Sequence, residues 1–182
     1  MRVIAGQARG VPLYAPEGRE VRPTLDRVRE SLFAIIGPGI EGATFLDLFA
    51  GTGANGIEAL SRGAASADFV DSDPAAVALI RKNLVKTRLG TRGVVHRLSL
   101  PGSLEKIAAK RAGHYDVVFA DPPYDFAGYP VLIETVGERA LLAPGGCLIV
   151  EHETRNPMPS AIGGLHAFRT AKYGECSLTF YA

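Results

Sequence analysis

Cysteine is scarce in this 182-residue chain: Cys147 and Cys176 stand at no metal-ligand or redox spacing, so they read as reduced core thiols and not as a disulfide framework or a zinc site. Histidine adds little, because His96, His114, His152 and His166 are scattered, and the expectation is a protein without bound metal. No apolar run approaches a membrane span, and the first twenty residues hold no signal-peptide core, which points to a cytoplasmic chain with no membrane partner. Excess charge of one sign is missing too. A net charge of +1 excludes a globally basic nucleic-acid protein. Internal repeats and low-complexity segments are also lacking, which excludes solenoids and linker-like chains.

What remains is an ordinary globular composition, 47% hydrophobic and 21% charged, in a chain long enough for one domain with a substantial core. Charge is uneven only locally. Before Ser31 stand six arginines (Arg2, Arg9, Arg19, Arg22, Arg27, Arg29) against four acids (Glu17, Glu20, Asp26, Glu30), and on charge alone this reads as solvated surface.

The amino-terminal residues suggest two short strands, Arg2–Ala5 and Gly10–Tyr14, forming a small hairpin arm that Pro12 confines to an edge. A helix follows, with Thr24 as its cap and Leu25, Val28, Leu32, Phe33 and Ile36 on one face, and Gly37-Pro38-Gly39 stops it. From Ala43 onward strands and helices alternate. Strands are expected at 43–48, 67–71, 93–97, 114–121 and 145–151, with helices between them; Asp73 caps the helix in which Val77, Ile80 and Leu84 face inward and Arg81, Lys82, Lys86 and Arg88 face out. Alternating units of this kind imply a mostly parallel sheet with right-handed crossovers. The tail breaks the rhythm: Phe168–Tyr173 and Cys176–Tyr181, joined by Gly174-Glu175, read as an antiparallel hairpin closing the sheet.

The strand ending at Leu48 runs into Gly51-Thr-Gly53-Ala-Asn-Gly56 and then a helix. Glycines let the backbone turn sharply and approach a ligand, and the helix points its positive end at the turn. The spacing matches the dinucleotide fingerprint, suits the methionine end of S-adenosylmethionine (SAM) equally well, and is also compatible with a plain turn. Asp71 ends the second strand, where a carboxylate accepts hydrogen bonds from ribose hydroxyls in either cofactor. Downstream, Asp121-Pro122-Pro123-Tyr124 follows the fourth strand. The prolines fix φ and remove donors; a carboxylate beside a rigid carbonyl makes a pair of acceptors for an exocyclic amine, and Tyr124 offers a face for an extruded base.

Phe49-Ala50-Gly51-Thr52-Gly53 followed by Asp121-Pro-Pro-Tyr124 resembles a SAM-dependent methyltransferase acting on a nucleobase amine. With Arg22-Pro-Thr24-Leu-Asp-Arg27-Val-Arg29-Glu-Ser-Leu-Phe33, Leu46-Asp47-Leu-Phe-Ala-Gly51 and Glu58-Ala-Leu-Ser-Arg-Gly-Ala64, nearly the whole chain resembles the bacterial RsmD family, enzymes that methylate the N2 of a guanine in 16S ribosomal RNA. It departs from that family at Asp71, often Glu, and at Tyr124, often Phe. The resemblance implies an α/β class I methyltransferase (Rossmann-like) fold with a mostly parallel seven-stranded sheet, divided as an arm at 1–21 and a methyltransferase domain at 22–182. It implies SAM held by Asp47, Phe49, Ala50, Gly51, Thr52 and Gly53, with Asp71 on the ribose and Ser72 beside the adenine. Asp121 and the Pro122 carbonyl, stiffened by Pro123, would accept from the guanine amine, and Tyr124 would stack. Arg2, Arg9, Arg22, Thr24, Arg27 and Arg29 are the expected RNA contacts, the substrate being 16S ribosomal RNA within a partly assembled small subunit and the enzyme a monomer.

Three other readings compete. A DNA adenine-N6 methyltransferase would use the same Asp-Pro-Pro-Tyr, but such enzymes carry an added target-recognition segment for which this chain has little room. An NAD-dependent oxidoreductase leaves residues 121–124 unexplained, and a non-catalytic RNA-binding module leaves both motifs intact for no purpose.

Overall fold

The apolar run ahead of the glycine turn becomes strand β1 (Thr44–Leu48), buried from Phe45 onward. A strand buried along its length needs cover on both faces, which parallel βαβ packing supplies. The structure, a computed structural model, describes residues 1–16, 23–111, 113–123 and 125–182, with backbone alone at 23–25 and 110–111. It divides into two compact units, Met1–Arg97 and Leu98–Ala182.

In the first unit β1 pairs in parallel with β2 (Ser66–Asp71), from Thr44 opposite Ser66 to Leu48 opposite Val70. β2 pairs in parallel with β3 (Gly93–Arg97), from Ala67 opposite Gly93 to Asp71 opposite Arg97. Helix α1 (Pro23–Ile36) precedes them and buries Val28, Leu32 and Phe33. The Phe33 ring stacks on Phe45, with centroids 6.2 Å apart. The helix opens at Pro23, a residue pre-set for the first helical position. Thr24, expected outside the helix as its cap, therefore lies within the first turn.

The crossovers are α2 (Ala54–Ser61), resting on β1 and β2, and α3 (Pro74–Lys86), resting on β2 and β3. Gly56 lets α2 sink onto the sheet, for a Cβ there would come within 2.3 Å of the Phe69 ring. Asp73 caps α3 as expected, its carboxylate accepting from the Ala75 N–H at 2.8 Å, and Val77, Ile80 and Leu84 are buried.

The expected amino-terminal hairpin does not form. Residues 1–16 hold one isolated bridge, Arg2 to Pro12, and a succession of turns. Nor is the segment a detached arm. Val3, Ala8 and Leu13 are buried. The Ile4 and Ala5 N–H groups donate to the Glu58 carboxylate at 2.7 and 3.0 Å, and Gln7 and Ala8 donate to Ser61. Gly6 lies so close to α2 that a Cβ would reach 1.9 Å from the Ser61 carbonyl oxygen. Val3, Gly10 and Leu13 donate within the segment, whereas the donors of Ile4, Ala5, Gln7 and Ala8 are satisfied by α2.

In the second unit α4 (Glu105–Arg111) leads to β4 (Tyr115–Ala120), which pairs in parallel with β5 (Leu142–Glu153) through Val117 opposite Cys147 to Ala120 opposite Val150. Helix α5 (Tyr129–Glu138) joins those strands and packs on β5. The tail is antiparallel as expected: β8 (Cys176–Tyr181) lies between β5 and β7 (Leu165–Tyr173), with the turn at Gly174 in the left-handed region. A two-residue strand, β6 (Ala161–Ile162), pairs with the start of β7 and raises the number of strands among the described residues to eight, against seven expected. No helix among the described residues is long and apolar enough to cross a membrane.

Candidate active site

Between β1 and α2 the backbone turns through three residues with positive φ: Phe49 (60°), Gly51 (54°) and Gly53 (77°). A bulky aromatic in the left-handed region is strained and persists only where its surroundings hold it. The holding groups are visible. The Ala50 N–H donates to the Val70 carbonyl at 3.0 Å and the Gly53 N–H to the Ala50 carbonyl at 2.7 Å. The Gly51 N–H donates to Asp71 Oδ2 at 2.8 Å, while Asp71 Oδ1 accepts from the Asp73 N–H at 2.9 Å. The Thr52 carbonyl accepts from Asn83 Nδ2 at 2.9 Å. Asp71 thus ties the end of β2 to the loop, and each carboxylate oxygen keeps a lone pair for another donor.

Asp47 sits beneath the loop, 1% exposed, and its Oδ2 accepts from the Gly56 N–H at 2.9 Å. Burial pushes its pKa up to about 7, opposed by the Gly56 hydrogen bond and assisted by the negative charge of Asp71. The side chain thus reaches the first turn of α2 from inside the core. The loop glycines divide their tasks: a Cβ on Gly53 would press on Ile80 at 3.1 Å, whereas one on Gly51 would meet only the Phe49 carbonyl oxygen at 3.9 Å. Gly51 therefore faces open space at the start of a helix whose N-cap, Gly53, supplies no side-chain bond. Open room over Gly51 and a carboxylate at the strand end suit a small polar ligand. Ser72, the next residue, is exposed.

In the second unit Asp121 and Pro123 are exposed and Pro122 is buried after β4. The Pro123 carbonyl accepts from the Phe126 N–H at 2.9 Å, closing a turn, and the Phe126 ring meets Tyr129 edge-on with centroids 5.2 Å apart. The Tyr129 hydroxyl reaches the Glu151 carbonyl at 3.4 Å; its pKa is pushed up to about 12 by burial, and by the negative charges of Asp121 and Glu151. Burial also raises the Glu151 carboxyl, opposed by the Cys176 thiol, which donates to Glu151 Oε1 at 3.2 Å. Tyr124 lies outside the described residues.

Of the expected RNA contacts, Arg2, Arg9 and Arg27 are exposed, Arg22 lies outside the described residues, and the Thr24 side chain does too. Arg29 does not fit the expectation. It is 5% exposed, and its Nη2 donates to the Arg2 carbonyl at 2.7 Å and to Asp26 at 2.9 Å. Its Nε, 4.0 Å from the buried Glu58 carboxylate, has no hydrogen-bond partner. Arg29 is a structural cation that balances Glu58 together with Arg62, whose Nε donates at 2.7 Å.

The sequence reading missed Asn83, Glu58, Tyr129 and Glu151. Asn83 left a signal, one amide among the apolar residues of α3's inner side; Glu151 left another, an acid at the end of the strand expected at 145–151. Among the described residues no group of three or more His, Cys, Asp or Glu side chains is placed to hold a metal ion.

The family model described as conserved hypothetical protein 95 matches residues 1–182. The chain is 38% identical to YlbH of Bacillus subtilis over 181 residues, covering 100% of this chain and 98% of that protein. It is 34% identical to the ribosomal RNA small subunit methyltransferase D of Escherichia coli over 181 residues, covering 100% and 89%. The solved structure of the Thermus thermophilus protein TTHA0928 superposes with a TM-score of 0.83 at 31% identity, covering 99% of this chain and 98% of that one.

Proposed function

This chain belongs to the conserved hypothetical protein 95 family, the RsmD family, and from that premise we propose that it transfers a methyl group from SAM to the exocyclic N2 amine of a specific guanine in 16S ribosomal RNA. The full-length identity to the Escherichia coli small-subunit enzyme carries the reading. The loop is compatible with it: there is open space over Gly51, and the Asp71 carboxylate stands beside the loop at the end of β2.

SAM supplies an activated methyl carbon, and everything else falls to the chain. Phe49, Ala50, Gly51, Thr52 and Gly53 would hold the methionine end, Asp71 would accept from the ribose hydroxyls, and Ser72 would lie beside the adenine. Asp47, buried, would act through the Gly56 N–H by fixing the loop and not by touching the ligand. An exocyclic amine conjugated with its ring is a poor nucleophile. Asp121 and the Pro122 carbonyl would accept its two N–H bonds and aim its lone pair at the methyl carbon, with Pro123 keeping the turn stiff and Tyr124 stacking on the base. As the N–C bond forms, the methyl–sulfur bond of SAM would break and the neutral thioether would leave, and the amine would lose one proton, for which the exposed Asp121 carboxylate is the acceptor. Acceptors that tighten as positive charge grows on nitrogen contribute most in the transition state. The proposed substrate is 16S ribosomal RNA in a partly assembled small subunit, and the proposed enzyme is a monomer working in the cytoplasm.

Single-turnover transfer from methyl-labelled SAM to 16S ribosomal RNA lacking the modification, followed by nucleoside mass spectrometry, tests the reading. N2-methylguanosine at one position is expected; label on adenine N6, or transfer to DNA alone, refutes it.

A further inference from the structure

Acidic residues are absent from the chain between Asp73 and Glu105, while Arg81, Lys82, Lys86, Arg88, Arg92 and Arg97 all fall in that interval. Two of these cations are already engaged. Arg92 donates to the Ala64 carbonyl at 2.9 Å and to Gln7 at 3.1 Å, and Arg97 leans on the Ser72 carbonyl at 3.5 Å. The others project from α3 and the turn that ends it. Ala78, Arg81, Lys82 and Val85 are exposed at the three- and four-residue spacing of one helix face, and exposed Arg88 follows, with a positive φ of 59°.

Beside this face stands Tyr14, 50% exposed, with Lys86 Nζ 3.9 Å from its ring centroid. The ring is carried by a fixed backbone: the Tyr14 N–H donates to Asn83 Oδ1 at 2.7 Å, and Asn83 Nδ2 donates back to the Tyr14 carbonyl at 3.1 Å. Asn83 is completely buried, and its amide is the same one that holds the Thr52 carbonyl in the glycine loop. An aromatic ring exposed on a rigid mount and flanked by cations with no acidic partner among the described residues matches what single-stranded nucleic acid needs, a stacking face for a base and positive charge for the phosphates.

We infer that the outer face of α3 together with Tyr14 is an RNA docking surface, on which Arg81, Lys82 and Arg88 contact phosphates and the Tyr14 ring stacks a base. The inference rests on the ribosomal RNA reading and adds to it a surface apart from the amino-terminal arginines. Charge complementarity favours RNA over a lipid surface, since a helix that lies in a membrane needs a face of large apolar side chains, and of the exposed apolar residues of α3 (Pro74, Ala75, Ala78 and Val85) Val85 alone is large.

The test uses the full chain and labelled 16S ribosomal RNA, naked and as a protein-depleted small-subunit core, with binding followed by anisotropy across a salt series. The triple variant R81Q/K82Q/R88Q alters exposed side chains only, and SAM titration reports that its fold is kept. RNA affinity is expected to fall by roughly 30- to 100-fold, with the slope of log affinity against log salt shallower by about 2 to 3. Tyr14→Ala is expected to lose roughly tenfold at unchanged slope, and Tyr14→Phe to bind as wild type. Wild-type affinity and slope in the triple variant, or binding to phosphatidylserine vesicles with none to either RNA, overturns the surface. Methyl transfer separates the two ideas: a wild-type chain that binds RNA through this face but methylates no guanine refutes the proposed reaction and leaves the docking surface standing.

Discussion

Replacing Asp47 by Asn should make the protein more stable as pH rises, relative to wild type. The carboxyl is held near 7 in the folded chain, against an ordinary value of 3.8. Below about pH 4 it is protonated in both states and contributes no difference. Between those values the folded state keeps a proton that the unfolded state has released, so stability falls as pH rises. Above about 7 both states are ionised and the full cost is present, up to roughly 4 kcal/mol. Solvent screening does not reduce it, because the group is 1% exposed.

Asn keeps an acceptor for the Gly56 N–H but carries an amide donor pair into the core, a cost of about 1–3 kcal/mol that does not depend on pH. The informative quantity is therefore the difference in unfolding free energy between variant and wild type, measured by urea titration at several pH values from 4 to 8. It should climb with pH, most steeply between 5 and 7, and level off by 8. Adding Asp71→Asn to both proteins should shift the climb to lower pH, since the Asp71 charge is one of the influences raising Asp47. A difference that stays flat from 4 to 8 would mean that Asp47 is not held protonated by burial, and the account of the loop's support would fail.

Gly51→Val should abolish SAM binding in calorimetry, because a side chain would enter the open space at a φ of 54° that β-branched residues reject; undiminished affinity removes the loop from the pocket. Asp121→Ala should leave SAM affinity unchanged and slow single-turnover transfer by about two to three orders of magnitude, the usual loss for one preorganised electrostatic contact; a fully active variant refutes the acceptor role. Gly6→Ala should cost at least about 2 kcal/mol or expose residues 1–16 to limited proteolysis, since the new methyl would lie 1.9 Å from the Ser61 oxygen. An unchanged urea midpoint with an uncut terminus would show that the contact relaxes freely.

The alternation of strands and helices was legible because strands buried on both faces must be written as apolar runs, and Asp73-Pro74 announces its helix by cap chemistry that acts within three residues. The arm was illegible for the opposite reason. Val3, Ala8 and Leu13 are buried at a spacing of five, which is neither strand nor helix period, and their neighbours' donors find acceptors more than fifty residues away in Glu58 and Ser61. Nothing local encodes that attachment. Arg29 misled in the same way: beside buried Val28 it reads as the polar flank of α1, and the Arg2 carbonyl and Glu58 carboxylate that hold it inside are both distant in sequence. Strand β6, two residues long, is shorter than any periodicity can mark.

These long-range polar contacts share one design. Asp47 grips Gly56, Asp71 grips Gly51, Asn83 grips Thr52 and Glu58 grips Ile4 and Ala5, in each case a side chain bonded to backbone. A loop with three residues at positive φ has no regular ladder of its own, so side chains from the surrounding elements must set its shape before a ligand arrives. Asn83 performs this service for Thr52 and for Tyr14 with one amide, and the Thr52 hydroxyl reaches the Met1 sulfur at 3.4 Å. The first residues of the chain are therefore part of the loop's support, although they were expected to form a separate arm. Loosening them would strip Asn83 of two of its bonds and free the loop to leave the strained geometry of Phe49. A chain built this way cannot keep a preformed glycine loop and a floppy amino terminus together.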